Sequence, residues 1–142
     1  MISLLIVIVF VLSLPFRIIW CLLSLLLGLV SFKPHYRKGK KRYNKRHPVY
    51  VHHKKGDDYE VVSLTHKGGM NNIPLSKNPN PNDTNSSYIR PYRFSATEND
   101  LESEKIEGWK KPTFKERKNI NGLPMSDVNP NKAYLRDKDE YS

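Results

Sequence analysis

Cysteine is almost absent from this chain. Cys21 is the only one, and it lies inside an apolar run. That excludes an intramolecular disulfide and a cysteine-ligated metal site in the soluble part. A soluble part without cysteine suits the cytosol. Acidic residues are absent before Asp57. Large apolar side chains are sparse after Lys33, whereas proline and asparagine are frequent there. Such a stretch does not bury enough surface to offset the entropy of ordering every residue. The reading predicts a small folded piece between loose segments. Catalytic signatures are missing too: there is no G-x-S-x-G, phosphate-binding loop, H-E-x-x-H or G-x-G-x-x-G. The expectation is a protein that is not an enzyme and needs no cofactor.

What is present is a junction. Ile2 to Phe32 contains one charged residue, Arg17, and Lys33 to Gly56 contains ten Lys/Arg and no acid. Residues 57–142 hold 13 Lys/Arg and 14 Asp/Glu. The net charge of +10 is therefore concentrated beside the apolar segment rather than spread over the chain.

A cleaved signal peptide fits this beginning poorly. The first three residues bring no basic side chain, and Leu29-Val30-Ser31-Phe32 offers no small-residue cleavage site. A retained transmembrane helix over residues 1–32 fits better, since about 20 apolar residues span a bilayer. Thirty-one residues of straight helix would measure about 46 Å against about 30 Å of hydrocarbon. Pro15 predicts a kink. The favoured geometry is one bent span, with Arg17 snorkelling outward. The alternative is a hairpin turning at Leu14–Arg17, with each limb too short to cross. Either way the Lys/Arg-rich flank keeps the carboxy-terminal part in the cytoplasm.

Ser13, Arg17, Cys21, Ser24, Gly28 and Ser31 recur at spacings of three and four, so they form one helical stripe. Small residues let helices approach closely in lipid. The stripe predicts self-association or a membrane-protein partner.

Residues 33–47 form a polybasic collar. Lys33, Arg37, Lys38, Lys40, Lys41, Arg42, Lys45 and Arg46 are candidates for contact with anionic lipid of the inner leaflet, each worth about 1 kcal/mol. Tyr36 and Tyr43 suit the headgroup zone. The same residues would serve a sequence-independent nucleic-acid binder, with phosphates neutralised and bases stacked on tyrosine.

Residues 48–94 predict a small β-rich module. Val49–His53 and Tyr59–Thr65 are rich in β-branched and aromatic residues, and Lys54-Lys55-Gly56-Asp57-Asp58 between them is a turn sequence. The expected strands are 48–53 and 58–65. A lone hairpin is marginal in water, so a third strand is needed. Ile73–Leu75 and Ser87–Phe94 are the candidates, the latter interrupted by Pro91. The Asn/Pro alternation over 78–83 predicts a rigid loop. Its single carboxylate, Asp83, is too little charge for a calcium site.

Ser95-Ala-Thr-Glu98 predicts the start of a short acidic helix over 95–107. Its carboxylates Glu98, Asp100, Glu102, Glu104 and Glu107 are placed to answer the basic collar in cis. Residues 108–142 predict a largely disordered tail, with Trp109, Phe114 and Leu123 as isolated apolar residues. His52 and His66 would meet across the hairpin, near Asp57 or Asp58, but no metal-ligand spacing supports a metal site.

The sequence thus predicts a membrane-anchored small protein: a transmembrane α-helix kinked at Pro15, a hairpin-based module and a loose tail. The function it predicts is a non-catalytic tethered interaction or adaptor protein at the inner leaflet. Two rivals are a membrane-tethered nucleic-acid binder and a membrane-active, toxin-like protein. The Lys- and Asn-rich vocabulary resembles that of low-GC bacteria.

Overall fold

The computed structural model describes residues 2–30, 32–69 and 71–140. The chain divides into two units, Met1–Phe32 and Lys33–Ser142.

The first unit is one helix, α1 (Ile2–Val30). Its stretch Ile2–Leu26 is long and apolar enough to cross a membrane, and none of its most apolar window is buried within the protein. α1 continues through Pro15, so Leu14–Arg17 is not a turn and the two-limbed hairpin does not form. Pro15 leaves the Val11 carbonyl without its intrahelical donor. Breaking the helix there would orphan more backbone groups than that, which an apolar setting penalises. The Arg17 guanidinium lies 5.2 Å from the centroid of the Phe10 ring. The side chain therefore reaches toward the amino-terminal end, the direction in which helical Cβ atoms lean.

The second unit is built on one antiparallel sheet of seven strands. These are β1 (His35–Gly39), β2 (Pro48–Lys55), β3 (Asp58–Thr65), β4 (Ile73–Pro74), β5 (Tyr88–Ile89), β6 (Phe94–Ala96) and β7 (Leu101–Ile106). The order is β4-β5-β3-β2-β1-β7, with β6 also paired to β3. Three helices accompany the sheet: α2 (Lys41–Asn44), α3 (Phe114–Asn121) and α4 (Pro130–Glu140).

The β2–β3 hairpin forms where the sequence places it. Lys55 pairs with Asp58, leaving a two-residue turn whose first residue, Gly56, has φ +58°. That is the conformation glycine adopts without penalty. Both candidate third strands join. Ile73-Pro74 becomes β4, and Ser87–Phe94 is split around Pro91 into β5, on the end of β3 at Leu64–Thr65, and β6, on the end at Tyr59–Val61. Proline has no N–H for the ladder, so the strand breaks there.

The module is nevertheless larger than a hairpin, and two expected segments are corrected. The basic segment does not stand apart as a collar. Its first half is β1, paired with β2 through Tyr36↔Tyr50 and Arg37↔Val49. The acidic segment 95–107 is not a helix. It is a single 3₁₀ turn, Glu98–Asp100, followed by strand β7 against β1. On a helix, Leu101 and Ile106 would lie on different sides. In the sheet Leu101 pairs with Gly39 and is buried, and Ile106 pairs with Tyr36 and packs partly buried against the core.

One sheet face carries the core of Tyr36, Tyr50, Val62, Leu64 and Ile89, closed by Ile120 of α3, with Trp109 and Leu123 packed on it. The other face carries Val49, Val51, Val61 and Phe94, all 0% exposed. The expected loose tail is also corrected over its described residues, because it supplies α3, α4 and part of the core; Tyr141 and Ser142 lie outside the described residues. α3 opens with a reciprocal cap: the Glu116 N–H donates to Thr113 Oγ1 (3.2 Å), and the Thr113 N–H donates to Glu116 Oε2 (2.8 Å). α4 opens on Asn129, whose Oδ1 accepts from the Lys132 N–H (3.0 Å), with Pro130 as first helical residue.

Candidate functional site

Of the eight predicted anion contacts, seven are exposed: Lys33, Lys38, Lys40, Lys41, Arg42, Lys45 and Arg46. Arg37 is 3% exposed. Its guanidinium donates twice to the Glu98 carboxylate (3.2 and 2.7 Å), and its Nε donates to the Glu102 carbonyl (2.7 Å). The forked geometry suits a carboxylate. Arg37 and a further hydrogen bond from Tyr59 hold the Glu98 carboxyl at about 2. Here the acidic segment does answer the basic one in cis.

The tyrosines interleaved with the basic residues are not at the surface. Tyr36 and Tyr43 are 2% and 3% exposed. Their hydroxyls donate to the carbonyls of Lys110 and Ser95, both at 2.8 Å. Burial pushes both hydroxyls well above the ordinary tyrosine pKa. Neither ring is available to stack on a base or sit among headgroups, because each fills the protein's own interior.

Along α1, the Ser13 and Ser24 hydroxyls donate to the Phe10 and Trp20 carbonyls of the same helix (2.9 and 2.8 Å). They are thereby satisfied within the helix. Cys21 is exposed. Gly28 lies within α1, and Ser31 lies outside the described residues.

His52 and His66 do not come together. A bulge in β2 makes His52 the extra residue between Val51↔Val61 and His53↔Glu60. His52 Nε2 lies 3.5 Å from Glu60, which also receives Lys55 (2.9 Å) and Arg93 (3.1 Å). Burial holds the His52 imidazole down to about 4, although Glu60 pulls the other way. The Glu60 carboxylate takes two cations, Lys55 from the hairpin and Arg93 from just before β6, and so ties the two together. His66 instead faces Asp83 at 3.2 Å. Among the described residues no three His, Cys, Asp or Glu side chains converge on a point. In the Asn-rich loop, Asn78, Asn80 and Asp83 each accept from the backbone N–H two residues on. Their oxygens are spent on turns, as expected of a rigid loop.

The sequence gives no sign of a pocket that the fold assembles at the end of β3. It encloses about 130 Å³. Its wall brings together Lys45 and His47 from the exit of α2, Lys67 and Arg90 from the ends of β3 and β5, and Asn131 and Tyr134 from α4. No described residue of the lining is acidic. The Tyr134 ring carries Lys45 Nζ at 5.1 Å and Arg90 Cζ at 4.9 Å from its centroid. Lys45 and Arg46 are both left-handed, with φ +56° and +66°. For side chains with a Cβ that conformation costs about 1–2 kcal/mol each. The His47 imidazole is held below its ordinary range by burial first, then by Arg90, His66, Lys45 and Lys67. These residues come from four separated stretches of chain, so no motif spacing announces them.

No protein-family model matches the chain, and neither do curated proteins or solved structures.

Proposed function

We propose that this protein is a non-catalytic, membrane-tethered interaction module. α1 is its anchor, and the sheet domain is held at an anionic cytoplasmic leaflet by the exposed cations of residues 33–46. The observation that carries this reading is the adjacency of two features. A helix apolar enough to cross a membrane is followed directly by a folded segment with seven exposed Lys/Arg side chains and no acid. Positive flanks stay inside, which supports a cytoplasmic carboxy-terminal domain. Burial of Tyr36 and Tyr43 favours lipid over nucleic acid, since no aromatic platform is left between the cations for base stacking.

The test is membrane extraction combined with topology. The full chain should stay in the pellet through alkaline carbonate, and a carboxy-terminal reporter active only in the cytosol should work. Release by carbonate would remove the anchor. Activity of an export-only reporter would reverse the orientation and with it the adaptor reading.

A further inference from the structure

We propose that the outward face of α3, centred on Phe114, is a second surface for docking on an anionic lipid bilayer. The phenyl ring enters the interfacial zone, and Lys110, Lys111, Lys115, Arg117 and Lys118 face the lipid phosphates. This rests on the reading of a domain tethered at an anionic leaflet, and it adds a contact outside residues 33–46.

The apolar residue comes first. The sequence marks Trp109, Phe114 and Leu123 as isolated apolar residues. The fold takes up two of them, since Trp109 and Leu123 pack against the core. Phe114 stays 76% exposed, the most exposed large apolar side chain among the described residues of the domain. It serves no local purpose in the helix either. The cap of α3 uses Thr113 and Glu116, and a hydrophobic staple across that cap would join residues 112 and 117 rather than 114.

Direction comes second. Glu116 lies about 160° and Ile120 about 120° round the helix from Phe114. Ile120 is buried, and the Glu116 carboxylate accepts from the Ser76 N–H (2.8 Å) and the Ser76 hydroxyl (2.7 Å). Those two residues mark the inner side of α3, so Phe114 projects outward. Arg117 and Lys118 follow it at i+3 and i+4, on the same side of the helix.

Charge comes third. Lys110, Lys111, Lys115, Arg117 and Lys118 are all exposed. Lys110 and Lys111 border one hollow with Thr113 and Glu116, which places them beside the start of α3. From Gly108 to Asn121 the only acid is Glu116, and its carboxylate is engaged in the hydrogen bonds just named. The segment therefore presents an aromatic ring among five cations. A lone exposed phenylalanine is ordinary. One so surrounded matches a bilayer, where anionic headgroups overlie an apolar layer. The shape suits lipid better than nucleic acid: single strands are held in grooves that track their backbone, and Phe114 stands on a convex helix face.

The experiment places the full chain in bilayer discs of phosphatidylcholine, alone or with phosphatidylserine. Side-chain accessibility is read by hydroxyl-radical labelling and mass spectrometry. At low salt Phe114 should lose most of its labelling in the phosphatidylserine discs and keep it in those of phosphatidylcholine. Met125, 44% exposed and beyond the far end of α3, should be labelled alike in both. Lys115→Gln with Lys118→Gln should restore the labelling of Phe114, weakening docking by about fivefold for each lost cation. Equal labelling of Phe114 in the two discs overturns the proposal. So does protection of Met125 equal to that of Phe114, or labelling that the two lysine substitutions leave unchanged. Protection by a single-stranded oligonucleotide but not by phosphatidylserine overturns it too, and assigns the face to nucleic acid. A chain that elutes apart from the discs refutes the anchor alone; phosphatidylserine vesicles added to that chain then decide the proposal by the same labelling of Phe114.

Discussion

Valine behaves oppositely in the two units. Val7, Val9 and Val11 of α1 are 56%, 61% and 55% exposed, whereas Val49, Val51, Val61 and Val62 of the sheet are all 0% exposed. The side chain is the same; what differs is what covers it. In the sheet, strand pairing and the helices remove valine from water. In α1 none of the most apolar window within Ile2–Leu26 is buried in the protein, among the described residues. A soluble helix shows one apolar stripe and one polar face, but α1 is apolar all round apart from its small-residue stripe. A helix of that composition is one that a protein core or a membrane ordinarily covers.

The comparison breaks most sharply if α1 is made polar. Leu22→Arg with Leu23→Arg places two charges deep in the apolar run, at about 2.5–3.5 kcal/mol each for insertion. The double variant should move from the carbonate-resistant pellet to the soluble or aggregated fraction, while the sheet domain keeps its unfolding midpoint. Retention in the pellet would mean that α1 is not the anchor. The next largest effect exchanges the units. Phe94 is 0% exposed and Phe16 is 79% exposed. Phe94→Ala should cost the domain about 3–5 kcal/mol in urea unfolding of the full chain in detergent. Phe16→Ala should leave that midpoint unmoved. Equal shifts would show that the two units share a core.

The hairpin was legible because β-branched pairs alternate around a glycine that a two-residue turn requires. The long apolar helix was legible because a run of apolar residues of that length has no other regular structure to adopt so readily. β1 was hidden by its charges. His35-Tyr36-Arg37-Lys38-Gly39 reads as a solvated basic run, yet Tyr36 and Arg37 are buried, and only pairing with β2 and β7 explains why. β7 was misread because its carboxylates resemble a solvated helix, while its partner is distant in sequence. Two signals were present and passed over. Thr113-Phe-Lys-Glu116 is a capping box opening α3. Asn129-Pro130 reads as a turn but is the cap and first residue of α4. The pocket was illegible for a different reason. Its cations lie on separate segments, and no local pattern encodes their meeting.

Acid separates the units further, because α1 has no side chain that titrates between pH 4 and 7. In the domain, His52 takes up a proton near pH 4 when folded and near pH 6.5 when unfolded. Between those values the unfolded state binds more protons, so stability falls as pH falls. The shift corresponds to about 3 kcal/mol at most. His35 and His47, also lowered chiefly by burial, act in the same direction. Carboxylates contribute lower down: Glu98, at about 2 when folded, weakens the domain only below its ordinary value of about 4.3. Urea midpoints should therefore decline from pH 6.5 to 4.5, and His52→Gln should flatten the decline. An unchanged slope would place the acid sensitivity elsewhere. A smaller cost attends Glu98→Gln. It leaves the buried Arg37 guanidinium with a neutral partner, for about 1–3 kcal/mol.

The smallest effect sharpens the comparison within the basic segment itself, where one cation is spent on the fold and its neighbours are not. Arg37 is buried and paired; Lys41 and Arg42 are exposed. Lys41→Gln with Arg42→Gln should change stability by less than about 0.5 kcal/mol. If the exposed cations face an anionic leaflet, each loss should weaken attachment by about 1 kcal/mol, or about fivefold. Sedimentation of a Lys33–Ser142 fragment with vesicles of phosphatidylcholine and phosphatidylserine reads this directly. Raising the salt should erase the difference, because exposed charges beyond about 10 Å are screened at 0.1 M. Arg37→Gln should do the reverse, destabilising the domain without changing the affinity of whatever remains folded. If Arg37→Gln and the surface pair alter vesicle binding alike, charge alone governs attachment and the placement of these cations by the sheet is irrelevant to it. If only the surface pair does, then folding has divided one basic run into a structural arginine and an interacting surface.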